Sequence, residues 1–209
     1  MTRQSRYSLL LLLLLVSSLL YTTTASAHFK LNLNVRIIHV EHQYDGINLY
    51  LRQQMPYLVA HLLGKAEGDE LPTPAPYTTN RMEDGKLVHY VDVSQLKRST
   101  DGLAELAKNG LVLTIDDDRA ETLVERIMVY PNGTQPNFAT LEDAKKAFEE
   151  TQPFTALEKG VYVGDTTIDI LLRYASNESV DAYALSSNLD PGLPDQEQTA
   201  NLVLDYRPG

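Results

Sequence analysis

The sequence of 209 residues contains no cysteine and no tryptophan. Without cysteine, the protein has no disulfides, thiolate metal sites, iron–sulfur clusters or cysteine nucleophile. Basic residues are also scarce, because 18 Lys and Arg stand against 28 Asp and Glu and give a formal net charge of -10. A protein that neutralises a phosphate backbone needs the opposite balance. We therefore expect no nucleic-acid partner.

The short motifs of familiar enzyme classes are missing as well. The chain has no G-x-S-x-G elbow, no glycine-rich phosphate loop, no H-E-x-x-H helix and no EF-hand loop. This pattern favours a protein that is not an enzyme.

The amino terminus carries the most specific signal in the chain. Arg3 and Arg6 precede an apolar run at residues 9–20, and residues 25–27 read Ala-Ser-Ala. A positive start, an apolar segment and a small-x-small site are typical of a secretory signal peptide. The run has about 12 residues, whereas a spanning helix needs roughly 20. We interpret residues 1–27 as a cleaved leader.

Cleavage there leaves a mature chain of residues 28–209. Its later apolar stretches, such as residues 57–63 and 111–113, are too short to span a membrane. An exported protein without cysteine fits a bacterial periplasm best. We expect residues 28–209 to form a single exported, periplasmic domain.

The start of the mature chain predicts a long β-hairpin over residues 29–54. Apolar and polar residues alternate up to Ile37, and the alternation then changes parity at Ile38. One extra residue in a β-bulge would restore a single apolar face, so we predict a bulge there. Asp45 and Gly46 form the pair that favours a tight type I′ turn.

Further segments complete a mainly β pattern. Two short helices are predicted at residues 101–108, with Asp101 as the cap, and at residues 140–150, where Thr140 and Asp143 suit a capping box. The remaining predicted strands are residues 86–93, 111–115, 122–130, 161–163, 167–174, 180–185 and 200–206. The expected fold class is an antiparallel β-sandwich with two short helical insertions.

Two histidines in the first predicted strand are candidate metal ligands. The turn at Asp45 and Gly46 would place His39 opposite Arg52 and His42 opposite Leu49. His39 and His42 differ in parity and therefore point to opposite faces of a regular strand. One metal could bind both only if the backbone were irregular.

His28 is the third candidate ligand, because cleavage after residue 27 would expose an α-amine beside its imidazole. Such a pair of nitrogens can chelate Cu(II) or Ni(II), so copper and nickel are the candidate metals. His28 and His39 lie about 35 Å apart along an extended strand. A second ligand would therefore come from His61 or from His89, which the pattern also suits as a core residue. The plain alternative is that His28 is only the first residue of the mature chain.

Two other features have a functional and a structural interpretation. The carboxylates of residues 116–118 and Glu121 could bind a hard cation such as Ca²⁺. They could also form a solvated hairpin tip, and this is the interpretation that we favour. The 12 tyrosines could line a sugar-binding groove, although strand tyrosines usually pack in the core or against a neighbouring strand.

Three segments carry a resemblance to a known family. They are residues 28–33 (HFKLNL), 45–56 (DGINLYLRQQMP) and 193–202 (LPDQEQTANL). The chain resembles the exported amino-terminal region of bacterial HupE/UreJ-like membrane proteins. That resemblance implies a signal peptide and a β-rich periplasmic domain placed ahead of several transmembrane helices, so that this chain would end before the membrane domain.

The resemblance implies an accessory role for these residues. The first hypothesis is a non-enzymatic periplasmic domain that contacts a membrane domain or membrane protein, or that handles a divalent metal such as nickel. The alternative is a copper-binding protein or copper oxygenase that uses the mature amino-terminal His28. A third and weaker hypothesis is an acidic carbohydrate-binding sandwich.

Overall fold

Residues 33–65, 70–189 and 198–208 are described by a computed structural model, and in these ranges the fold is mainly β, as predicted. The strands are β1 (Leu33–Gln43), β2 (Gly46–Gln54), β3 (Thr78–Glu83), β4 (Lys86–Val91), β5 (Leu111–Ile115), β6 (Asp118–Arg119), β7 (Leu123–Pro131), β8 (Thr166–Ala175), β9 (Ala184–Ser187) and β10 (Gln198–Tyr206). The α-helices are α1 (Pro56–Val59), α2 (Val93–Arg98), α3 (Asp101–Gly110), α4 (Leu141–Glu149) and α5 (Phe154–Leu157).

A five-stranded sheet with the order β10-β1-β2-β8-β7 forms the centre of the fold. β5 pairs with β6 and β9 in a smaller sheet, and β3 pairs with β4 in a hairpin. The ladders are antiparallel except that β10 runs parallel to β1. A parallel pair needs a long crossover, and here the connection from β1 to β10 runs through all the other elements. Local sequence patterns do not show whether β10 runs parallel or antiparallel to β1.

Both faces of the central sheet are covered. On one face, Ile38, Leu49 and Ile170 belong to a large apolar core that also contains Leu103 of α3 and Leu113 of β5. The opposite face packs under α4 in a second apolar cluster. The members of that cluster include Tyr50, Met128, Tyr130, Phe138, Ala144, Ala147 and Phe148. The result is a sandwich-like arrangement in which the sheet lies between two layers.

β1 pairs without the bulge predicted at Ile37 and Ile38. Its register with β2 is continuous from Ile37 to Gln43, and its register with β10 is continuous as well. The prediction was wrong because β1 is buried on both faces. Ile38 packs in the large core, while Ile37 packs against the cluster under α4. The change of parity at Ile38 is therefore the pattern of a strand that is covered on both of its faces.

The first hairpin turn lies one residue earlier than predicted. Gln43 pairs with Gly46, so residues 44–45 form the turn and Gly46 begins β2. Gly46 has a φ of +138°, and a Cβ built there would lie 1.9 Å from the carbonyl oxygen of Tyr174 on β8. The glycine is therefore required by the close approach of two strands, and not by a type I′ turn.

Both predicted helices are present, and the longest of the other three α-helices was missed. α4 begins with the predicted capping box, in which Thr140 accepts from the Asp143 amide and Asp143 accepts from the Thr140 amide. α3 has Thr100 as its N-cap, and Asp101 is already in the helix. The missed helix is α2, whose cap Asp92 accepts a hydrogen bond of 2.9 Å from the amide of Gln95. Its residues lack a long apolar stripe, which explains the omission.

Two aspartate-containing turns have the left-handed backbone of tight hairpins. Asp116 and Asp117 have φ values of 52° and 65° and join β5 to β6. Residues 116–119 are exposed, as expected for a solvated tip. Asp84 and Gly85 join β3 to β4 in the same way, with φ values of 49° and 74°. β3 itself was missed because its residues are mostly polar.

Candidate functional site

The three predicted metal ligands are not brought together in the described part of the chain. His28 lies outside the described residues. His39 and His42 are both on β1, where His39 pairs with Tyr50 and His42 pairs with Ile47. Because β1 is regular, the two imidazoles point to opposite faces of the sheet. They cannot bind one ion together.

His39 is fully buried on the face of the sheet that packs under α4. Its Nε2 lies 2.9 Å from the carbonyl oxygen of Phe138, and its Nδ1 lies 3.1 Å from the hydroxyl of Tyr206. A carbonyl only accepts, so Nε2–H donates to it, and in the neutral ring Nδ1 accepts from the tyrosine hydroxyl. Both nitrogens are thus engaged, which makes His39 a structural link between β1, β10 and the loop before α4.

Glu41 is two residues further along the same face and is also buried. It forms an ion pair with Lys145 of α4 and accepts a hydrogen bond of 2.8 Å from the hydroxyl of Tyr50. Burial acts to raise the pKa of Glu41, but the hydrogen bonds from Lys145, Tyr50 and Asn48 outweigh it and hold the pKa below the ordinary value of 4.5. Burial, together with the hydrogen bond to the Glu41 carboxylate, raises the pKa of Tyr50.

The lowered pKa of Glu41 makes a pH-dependent contribution to stability. A carboxyl with a lowered folded pKa stabilises the fold above its unfolded pKa, and that contribution is lost as the pH falls through the folded pKa. We expect Glu41→Gln to lower the free energy of unfolding by about 1–3 kcal/mol at pH 7, and the difference from the unchanged protein to shrink below pH 4.5. Urea unfolding between pH 3 and pH 7 measures it, as a series of roughly half-unit steps.

Glu142→Gln is the matched control, because Glu142 is an exposed residue of α4, the helix that carries Lys145, and pairs with Lys146 one turn away, at 3.8 Å. We expect it to change stability by less than about 0.5 kcal/mol at any pH. Equal effects of the two substitutions would show that Glu41 makes no special contribution.

His42 faces the large core, at the edge of a surface cleft. Its Nδ1 donates to the carbonyl oxygen of Val180 at 2.8 Å, and its Nε2 lies 2.9 Å from Oδ1 of Asp205 on β10. The side chain of His42 is only 5% exposed, whereas that of Asp205 is 35% exposed. Nε2 is buried and has no aligned hydrogen bond, so its contact with Asp205 is electrostatic and not a directed N–H···O bond.

The cleft beside His42 has a volume of about 540 Å³. Tyr44 stands at its rim with most of its ring exposed, and Val180 forms part of its wall. Arg207 lies 3.3 Å from Oδ2 of Asp205 and donates at 2.8 Å to the carbonyl oxygen of Asp181. The residues that line the cleft thus include His42, Tyr44, Asp181 and Arg207, and Asp205 contacts two of them, His42 and Arg207.

The other two histidines have ordinary surroundings. His61 is exposed on the 3-10 turn Ala60–Leu62. His89 is partly buried, not fully buried as the core interpretation predicts, and its Nδ1 lies 2.8 Å from Oδ1 of Asn80. Burial lowers the pKa of His89. Whether either residue joins His28 stays a prediction, because His28 lies outside the described residues.

Two tyrosines form a stacked pair on the surface, which bears on the sugar-binding hypothesis. Tyr90 and Tyr162 stack with ring centroids 4.5 Å apart, and both hydroxyls donate to Glu83. The guanidinium of Arg81 lies 4.6 Å from the centre of the Tyr90 ring. The ring of Tyr90 is therefore already in contact with both Arg81 and Tyr162. The pair behaves as the cross-strand partners that the sequence favoured.

The outer edge of β10 is a feature that sequence reasoning missed. β10 is the edge strand of the central sheet, and no other described strand pairs with its outer side. Leu202 and Val203, at its centre, are 48% and 45% exposed. Val35 of the neighbouring β1 is 42% exposed. The free edge thus presents apolar side chains together with unpaired backbone groups.

Among the described residues, no helix is long and apolar enough to cross a membrane. The same ranges contain no group of three or more His, Asp or Glu placed to hold a metal ion. The resemblance to HupE/UreJ-like proteins stays a prediction. Comparison with protein-family models, curated proteins and solved structures finds no match to the chain.

Proposed function

We propose that the β-rich unit is a non-enzymatic interaction domain that binds an extended segment of a partner protein along the outer edge of β10. The observation that carries the proposal is the composition of that edge. Residues 198–204 contain no charged side chain and no proline, while Leu202 and Val203 are about half exposed. A free edge strand of this kind pairs readily with another chain.

The opposite edge of the same sheet is protected in the usual ways. β7 has a register shift between Val124 and Arg126, and Glu125 and Arg126 are exposed on it. Bulges and charges are the devices that keep edge strands from pairing with other chains. Because one edge has these devices and the other lacks them, an interaction at β10 explains the difference.

The edge also indicates the chemistry of the partner segment. Adjacent residues of a strand face opposite sides of the sheet, so Leu202 borders the α4 side and Val203 the side of the large core. A pairing strand would need apolar side chains at two consecutive positions to contact both. The chain carries a net charge of -10, and like charges across an interface are costly. The proposed occupant is therefore an extended apolar segment that is uncharged or basic.

The proposal includes the cellular setting inferred from the sequence. The leader pattern of residues 1–27 supports export, and the resemblance to HupE/UreJ-like proteins supports a periplasmic accessory role beside a membrane domain or membrane protein. A β-rich domain is what that resemblance implies, and the mainly β fold agrees with it. Strand addition at β10 needs no catalytic group.

A peptide with the sequence of residues 198–204 and blocked termini provides a defined probe for the edge, because it is uncharged and is apolar at the consecutive positions 202–204. We expect it to bind the chain that starts at His28 with a Kd in the range of about 1–100 μM, measured by fluorescence anisotropy. Leu202→Lys should weaken binding by at least about tenfold, because a lysine at the centre of an edge strand opposes pairing.

Leu123→Lys is the matched control, because Leu123 is 61% exposed on the opposite edge strand, β7. It should leave peptide binding unchanged. Equal loss with both variants, or no binding at all, would contradict the proposal. A dimer of the chain, seen by light scattering and lost with Leu202→Lys, would show that a second copy occupies the edge in place of another protein.

A further inference from the structure

We propose that His42 and Asp205 form a two-ligand site for a divalent transition metal, Cu²⁺ or Ni²⁺, on the wall of the cleft beside β10. The site is distinct from the proposed chelate at His28 and does not depend on strand addition at β10. It assigns a role to a buried imidazole nitrogen that has no aligned hydrogen bond.

The first argument is the orientation of the imidazole. Nδ1 of His42 is 2.8 Å from the carbonyl oxygen of Val180, and a carbonyl can only accept, so the proton is on Nδ1. In the neutral ring, Nε2 then presents a lone pair toward Asp205. A histidine that donates one N–H to a backbone carbonyl and leaves the other nitrogen free is the usual arrangement of a metal ligand.

The second argument is the close approach of two acceptors. Nε2 of His42 and Oδ1 of Asp205 are 2.9 Å apart. At that distance a lone pair and a carboxylate oxygen repel each other unless a proton or a metal cation lies with them, and the metal would take the place of that proton. Two ligands at about 2.05 Å from a metal are about 2.9 Å apart when they meet at a right angle, and about 3.3 Å apart in a tetrahedron. The observed spacing suits tetragonal Cu²⁺ or Ni²⁺ better than tetrahedral Zn²⁺.

The third argument is access. Asp205 is 35% exposed, and the cleft of about 540 Å³ leaves space for water or for a ligand from another molecule. Arg207 contacts the other carboxylate oxygen, Oδ2, while Oδ1 faces His42. Because no group of three or more ligating side chains occurs in the described part of the chain, water would complete the coordination. Such a site binds weakly and suits the transfer of a metal to another site.

Calorimetric titration with NiCl₂ and CuCl₂ tests the site. The protein should start at residue 28 and carry the substitution His28→Gln, which removes the imidazole of the amino-terminal chelate. We expect binding of one ion, weakened at least about tenfold by His42→Gln and by Asp205→Asn. His89→Gln is the matched control, because His89 contacts an amide and not a carboxylate, and it should bind as the parent does.

A second readout separates metal binding from a folding defect. Paramagnetic Cu²⁺ should broaden the NMR signals of Val180 and Tyr183, whose ring centroid is 5.6 Å from that of His42, and leave those of Tyr90 sharp. Absence of binding by the His28→Gln protein would overturn the proposal and leave His42 and Asp205 as an ion pair. Binding that His42→Gln and Asp205→Asn do not weaken, in variants with unchanged circular dichroism, would also overturn it.

Discussion

Replacing Asp169 with leucine will lower the free energy of unfolding by about 3–5 kcal/mol. Asp169 is fully buried on β8, and its two carboxylate oxygens accept from Nε and NH2 of Arg52 at 2.7 and 2.6 Å. The guanidinium also donates to the carbonyl oxygen of Pro136 and lies 4.3 Å from the centre of the Phe138 ring. Leucine fills the space of the carboxylate but leaves a buried positive charge without its counter-ion.

The double variant Arg52→Met with Asp169→Leu is the control. Replacing a buried ion pair by apolar residues of similar size is often neutral or stabilising, so we expect the double variant to recover most of the loss. Urea unfolding of the two variants and the parent at pH 7 measures this difference. If the single and double variants were equally unstable, the loss would come from packing and not from the unpaired charge.

Replacing Gly46 with alanine will cost about 3 kcal/mol or more. Two independent penalties act there. The φ of +138° is one that residues with a Cβ rarely adopt, and the new Cβ would lie 1.9 Å from the carbonyl oxygen of Tyr174. That oxygen belongs to the backbone of β8, which is held in the centre of the sheet. The β2–β8 ladder must therefore separate locally.

Gly164→Ala is the matched control, because a Cβ at Gly164 meets no atom within 4 Å and the backbone there has no positive φ. We expect it to change the free energy of unfolding by less than about 0.5 kcal/mol. Thermal unfolding followed by circular dichroism compares the two variants. An equal shift in Tm would show that the approach between β2 and β8 relaxes without cost.

Elements with a local signal were predictable from the sequence. The alternation of β1 and β2 identified their hairpin, and the Thr140 and Asp143 pair identified the start of α4. The bulge in β1 was wrong for a non-local reason, since α4 and Phe138 cover the face that was expected to be solvated. The turn before Gly46 was misplaced for a similar reason. Gly46 is required by its close approach to β8, a strand that is distant in sequence.

The candidate sites depend on contacts that local patterns do not report. His42 was a candidate ligand, but its partner Asp205 is on β10, and only the parallel β1–β10 ladder brings them together. His39 was a candidate as well, and its nitrogens are taken by Phe138 and Tyr206. The free edge of β10 follows from the strand order. The absence of charged residues at positions 198–204 could nevertheless be read from the sequence. It was the signal that could have identified this edge.

Hydrogen exchange at the backbone amides of β10 tests the interaction at this edge most directly. In a strand, alternate amides point away from the neighbour on one side, so the outward amides of β10 pair with no other strand of the described part of the chain. Addition of the peptide of residues 198–204 should slow exchange of those amides by at least about tenfold and leave the amides of β7 unchanged. Unchanged exchange along β10 at a saturating peptide concentration, or protection at β7 in its place, would contradict strand addition at β10.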